Sequence, residues 1–252
     1  MEEKISIPVV LAGIPVSVRT SFPAVREFFA DYIPEDLTGF VPDFTVETTE
    51  ELRAFYWNDF YRTSEQEGLW PPSSVPWDMI ETIALHDRIT RGMLEKGVFL
   101  MHGSAIALDG ECYIFTAPSG TGKSTHARIW REYFGDRAVM VNDDKPYLYR
   151  KGSRIMVCGT PWNGKHKLGR NMEAPLKAIC VLHRAAVNAI EKMSSSTAMS
   201  VIFRQIFRPD REEDLRRTLV FINDILEKVP VYSLGCNMEP DAARVSYEGM
   251  QE

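Results

Sequence analysis

The chain has 252 residues, 44% of them hydrophobic and 25% charged, which suffices for one large domain or two small ones. No apolar run reaches the roughly 20 residues of a membrane helix, and MEEKISIPVV lacks the basic start and apolar core of a secretory signal, so a cytoplasmic protein is expected. The net charge of −6 is uneven, with 16 Asp/Glu against 6 Lys/Arg in residues 1–90, and 9 Lys/Arg against the single acid Glu173 in residues 145–184. The basic segment suits an anionic small ligand, and the acidic remainder argues against a nucleic-acid surface.

Residues 5–20 read as two short β segments around Ala12-Gly13, with Pro8 and Pro15 suggesting edge strands. Phe22 to Tyr32 reads as a short amphipathic helix, Asp43 to Glu47 as a strand and Glu50 to Phe60 as a helix. Three prolines between Leu69 and Trp77 forbid either regular element. That loop marks the expected boundary between a small α+β region, 1–76, and a second domain, 77–252. Trp57, Trp70 and Trp77 read as core or interface, and nothing catalytic announces itself before residue 77. Asp78 to Lys96 carries helical apolar spacing and ends at Gly97, a natural stop.

Val98 to Leu108 is apolar and β-rich, Asp109-Gly110 is a strong hairpin signal, and Glu111 to Thr116 is again β. A two-residue turn pairs Leu108 with Glu111, and the same register sets His102 opposite Ala117, about 5 Å away. The hairpin makes these strands antiparallel neighbours, so the expected fold is α/β with a mixed, twisted sheet.

Ala117 to Thr125, APSGTGKST, fits the phosphate-binding spacing A-x-x-x-x-G-K-S between a strand and a helix, roughly Gly122 to Phe134. Gly120 and Gly122 let successive N–H groups face one anion. Lys123 reaches outer phosphates, and the Ser124 hydroxyl can ligate Mg²⁺. Ala138 to Asn142 reads as a buried strand ending in Asp143-Asp144, where one carboxylate suits Mg²⁺ and the other proton transfer.

Tyr147 to Arg150 and Arg154 to Val157 read as a hairpin. Gly159 to Arg170, GTPWNGKHKLGR, reads as a basic loop that either closes over phosphates or is simply solvated. Leu176 to His183 reads as a buried strand and Ser194 to Thr197 as a polar linker. Leu215, Leu219, Ile222, Leu226 and Val229 stripe a helix, and Pro230 to Leu234 returns as a strand. Four scattered cysteines without a C-x-x-C pair suggest neither a zinc site nor a disulfide framework.

Met101-His102-Gly103, APSGTGKST and Asn142-Asp143-Asp144 together resemble the catalytic domain of the bacterial HPr kinase/phosphorylase family. They also resemble the nucleotide half of phosphoenolpyruvate carboxykinase, over roughly Phe99 to Arg184. The resemblance implies an ATP- and Mg²⁺-dependent kinase. Ser119 to Thr125 would hold the phosphates, Ser124 and Asp143 would hold Mg²⁺, Asp144 would be the base, and His102 would lie beside it. The implied partners are a nucleotide and a hydroxyl-bearing acceptor (a seryl peptide, a protein or a serine-like small molecule). Neither nucleic acid nor membrane is expected, and a homo-oligomer is allowed. Residues 1–96 do not look like that family's N-terminal domain, and its downstream substrate-recognition signature is missing. A non-catalytic nucleotide-binding regulatory module and a carboxykinase-like lyase are the alternatives.

Overall fold

The computed structural model describes residues 4–67 and 75–251, and the chain divides into two compact units, Met1–Met93 and Leu94–Glu252. Most of the expected loop at 69–77, including Trp70, lies outside the described residues.

In the first unit, β1 (Ile5–Leu11) and β2 (Ile14–Thr20) form a hairpin through Ala12 and Gly13, whose φ values of 49° and 76° match a tight left-handed turn. Residues Phe44–Glu47 (β3) pair parallel to β2, which corrects the expectation that both proline-bearing strands are edges. The inner strand tolerates Pro15 because its ladder to β3 begins only at Val16, and Pro15 contributes a carbonyl to Asp43 N at 2.8 Å. Phe22 to Tyr32 divides into α1 (Ala24–Phe28) and a 3₁₀ turn at Ala30–Tyr32. Two longer helices follow, α2 (Glu50–Glu67) and α3 (Trp77–Glu95), with Trp57 stacked on Trp77 at 5.0 Å. Glu81 of α3 is fully buried and accepts hydrogen bonds from Thr20 Oγ1 and Thr48 Oγ1, with Arg53 Nη1 at 3.5 Å.

The second unit is built on one mixed sheet. Its strands are β4 (Val98–Leu100), β5 (Ser104–Leu108), β6 (Glu111–Thr116), β7 (Ala138–Asn142), β8 (Tyr147–Lys151) and β9 (Arg154–Cys158). The set continues with β10 (Glu173–Arg184), β11 (Ala189–Lys192) and β12 (Val231–Cys236). The order is β4-β8-β9-β10-β6-β5-β7, with β12 beside the far part of β10 and β11 beside β12. The long β10 joins two arrangements. Glu173–Pro175 pairs antiparallel with β9, and the remainder runs parallel between β6 and β12.

Both faces of the central strands are covered, and the period-two alternation sorts their side chains. Ala105, Ala107, Cys112 and Ile114 face α5 (Ser195–Gln205) and α6 (Glu212–Lys228). Ile106, Leu108, Tyr113 and Phe115 face α4 (Lys123–Phe134) and α7 (Asp241–Gly249), where Trp130 is the largest buried side chain. Among the described residues no helix is long and apolar enough to cross a membrane.

Two expectations need correction here. Ser194 to Thr197 is a helix start rather than a linker, because Ser194 Oγ accepts the Thr197 N–H at 3.3 Å and caps α5. Helix α6 buries Ile222 and Val229 of the expected stripe and packs Leu226 beside them, but Leu219 is 37% exposed and the inward face also takes Asp214, Thr218, Phe221 and Ile225. The buried carboxylate is charge-compensated: Arg211 and Arg217 pair with Asp214 at 3.3 and 3.6 Å, and Thr218 Oγ1 donates to Asp214 O.

Candidate functional site

Strand β6 runs through the middle of the sheet and delivers the glycine-rich loop at its carboxyl end. Gly120 and Gly122 hold φ of 74° and 119°, conformations that side chains resist. Helix α4 begins at once from Gly122 with no side-chain cap, so its first-turn N–H groups point out of the loop. Lys123 Nζ folds back to donate to Ala117 O at 3.1 Å. Burial lowers the Lys123 pKa, and the carboxylates of Asp144 and Asp143 oppose that shift.

The two aspartates are set by Asn142, the last residue of β7. Its Oδ1 accepts the N–H groups of Asp144 at 2.9 Å and Lys145 at 2.6 Å, an Asx turn that ends the strand. Asp143 is buried and accepts the Ser104 hydroxyl hydrogen at 2.7 Å. Asp144 is partly exposed, and its Oδ1 lies 3.4 Å from His102 Nε2.

The hairpin register holds from Leu108↔Glu111 to Ser104↔Phe115 and then stops. His102 therefore does not pair with Ala117. The single long strand expected at 98–108 is broken at 101–103, where a Cβ on Gly103 would stand only 2.9 Å from Ile114 Cγ2. There the backbone leaves the ladder for other partners. Gly103 N donates to Asp144 O at 3.0 Å and His102 N to Gln205 O at 2.7 Å, while His102 O accepts from Thr116 Oγ1 at 2.8 Å. His102 still joins the aspartates, by a different route.

One cavity of about 500 Å³ is lined by His102, Ser119, Gly120, Gly122, Lys123, Ser124, Thr125, Asp143 and Asp144. Thr121 is not on it; this residue lines a neighbouring cavity of about 420 Å³ with Leu182, His183 and Arg184. A larger cleft of about 780 Å³ beside α6 contains none of these residues.

Sequence reasoning left the basic loop undecided and did not single out Gly164, Lys165 and His166, which form another wall of the 500 Å³ cavity. The loop is tied down at both ends. Buried Thr160 receives two hydrogen bonds from Asn142 Nδ2 and donates to Lys145 O, and Arg170 N donates to Val141 O. The density of glycine was the available signal, since Gly159 and Gly169 both sit against backbone that a Cβ would strike. Ser104 gave a weaker one, a lone hydroxyl in an apolar strand.

The donor set suits a hard cation. Asp143, Asp144 and Ser124 offer oxygen ligands on one cavity, and among the described residues no group of three or more His, Cys, Asp or Glu forms a closed cage. An incomplete oxygen set completed by phosphates and water is how Mg²⁺ is usually held.

Fold and cavity together define a mixed α/β protein whose glycine-rich strand–loop–helix junction faces paired carboxylates. The chain belongs to the family described as SynChlorMet cassette protein ScmC, which matches residues 73–241. No curated protein matches it. Among solved structures, the Hpr(Ser) kinase/phosphatase from Coxiella burnetii aligns at 11% identity and a TM-score of 0.35, over 61% of this chain and 99% of that one. That likeness is too slight to assign a shared fold.

Proposed function

We propose that the protein is an ATP- and Mg²⁺-dependent phosphotransferase acting on a hydroxyl group, with the nucleotide-binding fold of the HPr kinase catalytic domain. The observation that carries this reading is the convergence of Lys123, Ser124, Asp143, Asp144 and His102 on one cavity at the open end of α4.

Phosphoryl transfer asks a protein chiefly for positioning and charge neutralisation. The loop N–H groups and the helix end hold phosphate oxygens, and Lys123 adds a point charge toward the outer ones. Lys165 and His166 line the same cavity. Ser124 and Asp143 would hold Mg²⁺, which spreads the negative charge of the phosphates when bound. Asp144 takes the proton of the acceptor hydroxyl as the new P–O bond forms and the bond to the β-phosphate oxygen breaks, releasing ADP. His102, 3.4 Å from Asp144, orients that carboxylate.

Isothermal titration of ATP, with and without Mg²⁺, against wild type and Lys123→Ala tests the nucleotide site. Mg²⁺-dependent binding lost in the variant supports it, and no binding to wild type sinks it. Acceptor-dependent ADP release by wild type but not Asp144→Ala separates an enzyme from a nucleotide-binding module without turnover.

A further inference from the structure

A second cavity, about 360 Å³, adjoins the first, and Ser124, Thr125, Asp143 and His166 line both. Its remaining wall is Arg128, Arg131, Met140 and Leu168. Ser124, Arg128 and Arg131 follow i, i+4, i+7 spacing and so share one face of α4. Arg128 and Arg131 stand about 6 and 10 Å along the axis from the residue at the phosphate end.

Arg128 is paired on the solvent side with Glu132 at 2.7 Å. Arg131 is half-buried and has no ion-pair partner among the described residues. An uncompensated guanidinium with five fixed donors selects planar anions, above all carboxylate. Met140 is buried and, with Leu168, supplies an apolar side suited to a short carbon chain. The volume lies at the small end of ligand pockets.

We propose that this cavity receives the acceptor, and that the acceptor is a small hydroxy acid whose carboxylate is held by Arg131 and Arg128 while its hydroxyl extends toward Asp144. The inference rests on the phosphotransferase reading above. It excludes a seryl residue inside a folded protein, which has no free carboxylate at that reach.

Titration calorimetry on the full chain loaded with Mg²⁺ and a non-hydrolysable ATP analogue tests it. The probes are L-serine, D-glycerate and L-lactate, set against ethanolamine and glycerol, which carry a hydroxyl without a carboxylate. At least one hydroxy acid should bind and the two alcohols should not. Arg131→Ala should weaken that binding about tenfold or more (about 1.4 kcal/mol), Arg131→Lys should weaken it less, and nucleotide affinity should stay within about twofold. Binding of the alcohols as tight as that of the acids, or no binding of any acid to the nucleotide-loaded protein, overturns the proposal. Loss of nucleotide affinity in Arg131→Ala would also overturn it by assigning the arginine to the nucleotide. Failure of wild type to bind the nucleotide at all is a different result, which removes the phosphotransferase reading itself and this inference with it.

Discussion

Ser104 on β5 donates its hydroxyl hydrogen to Asp143 Oδ1 at 2.7 Å, and both side chains are buried beneath the candidate cation site. The bond spends one carboxylate oxygen on the protein and leaves the other toward the cavity. Ser104→Ala should weaken Mg²⁺-dependent ATP binding about tenfold, the cost of an orienting bond to a charged group at about 1.5 kcal/mol. Binding measured without Mg²⁺ should be unchanged. Equal effects in both conditions would show that the hydroxyl supports the fold rather than the cation site.

His102 and Asp144 should act as a unit. Removing the proposed base in Asp144→Ala should lower turnover by about 10²–10⁴-fold. His102→Ala should cost less, and the double variant no more than Asp144→Ala alone, because the histidine works through that carboxylate. Additive losses in steady-state turnover would give His102 a separate role.

The basic loop depends on Gly159, which is not among the residues lining the 500 Å³ cavity. A Cβ at Gly159 would lie 2.0 Å from Arg170 O, so Gly159→Ala must push the loop base away from β7. Lys165 and His166 would then leave their wall of the site. Weaker ATP binding together with a lowered melting temperature, from about 1–3 kcal/mol of overpacking, is the expected pattern, read by calorimetry and a melting curve. Unaltered binding would exclude the loop from the phosphate site.

Ser246 of α7 is a buried hub that accepts from Trp130 Nε1 at 2.8 Å and lies 3.3 Å from His126 Nε2. Ser246→Ala leaves the indole N–H without its acceptor and should destabilise by about 1–3 kcal/mol in denaturant unfolding. A change below a few tenths would mean that water or repacking replaces the hydroxyl.

Burial holds His126 down to about 4, against 6.5 for a free histidine. Between those values the unfolded chain binds a proton that the folded one refuses. Its contribution is therefore fully present above pH 6.5 and lost as pH falls toward 4, up to about 3 kcal/mol. Unfolding of wild type at pH 7 and pH 5 should differ more than that of His126→Gln. Parallel slopes would contradict a neutral buried ring.

In the first unit, Glu81 anchors Thr20, Thr48 and Arg53 without contact to solvent. Glu81→Ala should cost about 3–5 kcal/mol, since it strands the Arg53 guanidinium and two hydroxyls. A melting temperature equal to wild type would contradict that accounting.

Much of the frame was legible in advance because its causes are local. Asp109 and Gly110 adopt φ of 52° and 86°, and a two-residue turn of that kind sets the β5–β6 register down to Ser104↔Phe115. The span of β7 and the passage from β6 through two glycines into α4 likewise follow from period, composition and φ preference. What lay beyond reach depends on groups distant along the chain. His102 leaves its strand because Gln205 and Asp144 offer partners that the ladder does not, and α6 buries Asp214 because two arginines compensate it. The place of Lys165 and His166 in the cavity rests on Thr160 bonding to Asn142, and no spacing in the sequence announces that bond. Periodicity reports which residues share a face, whereas the partner that satisfies a buried polar group is chosen only when separate segments pack together.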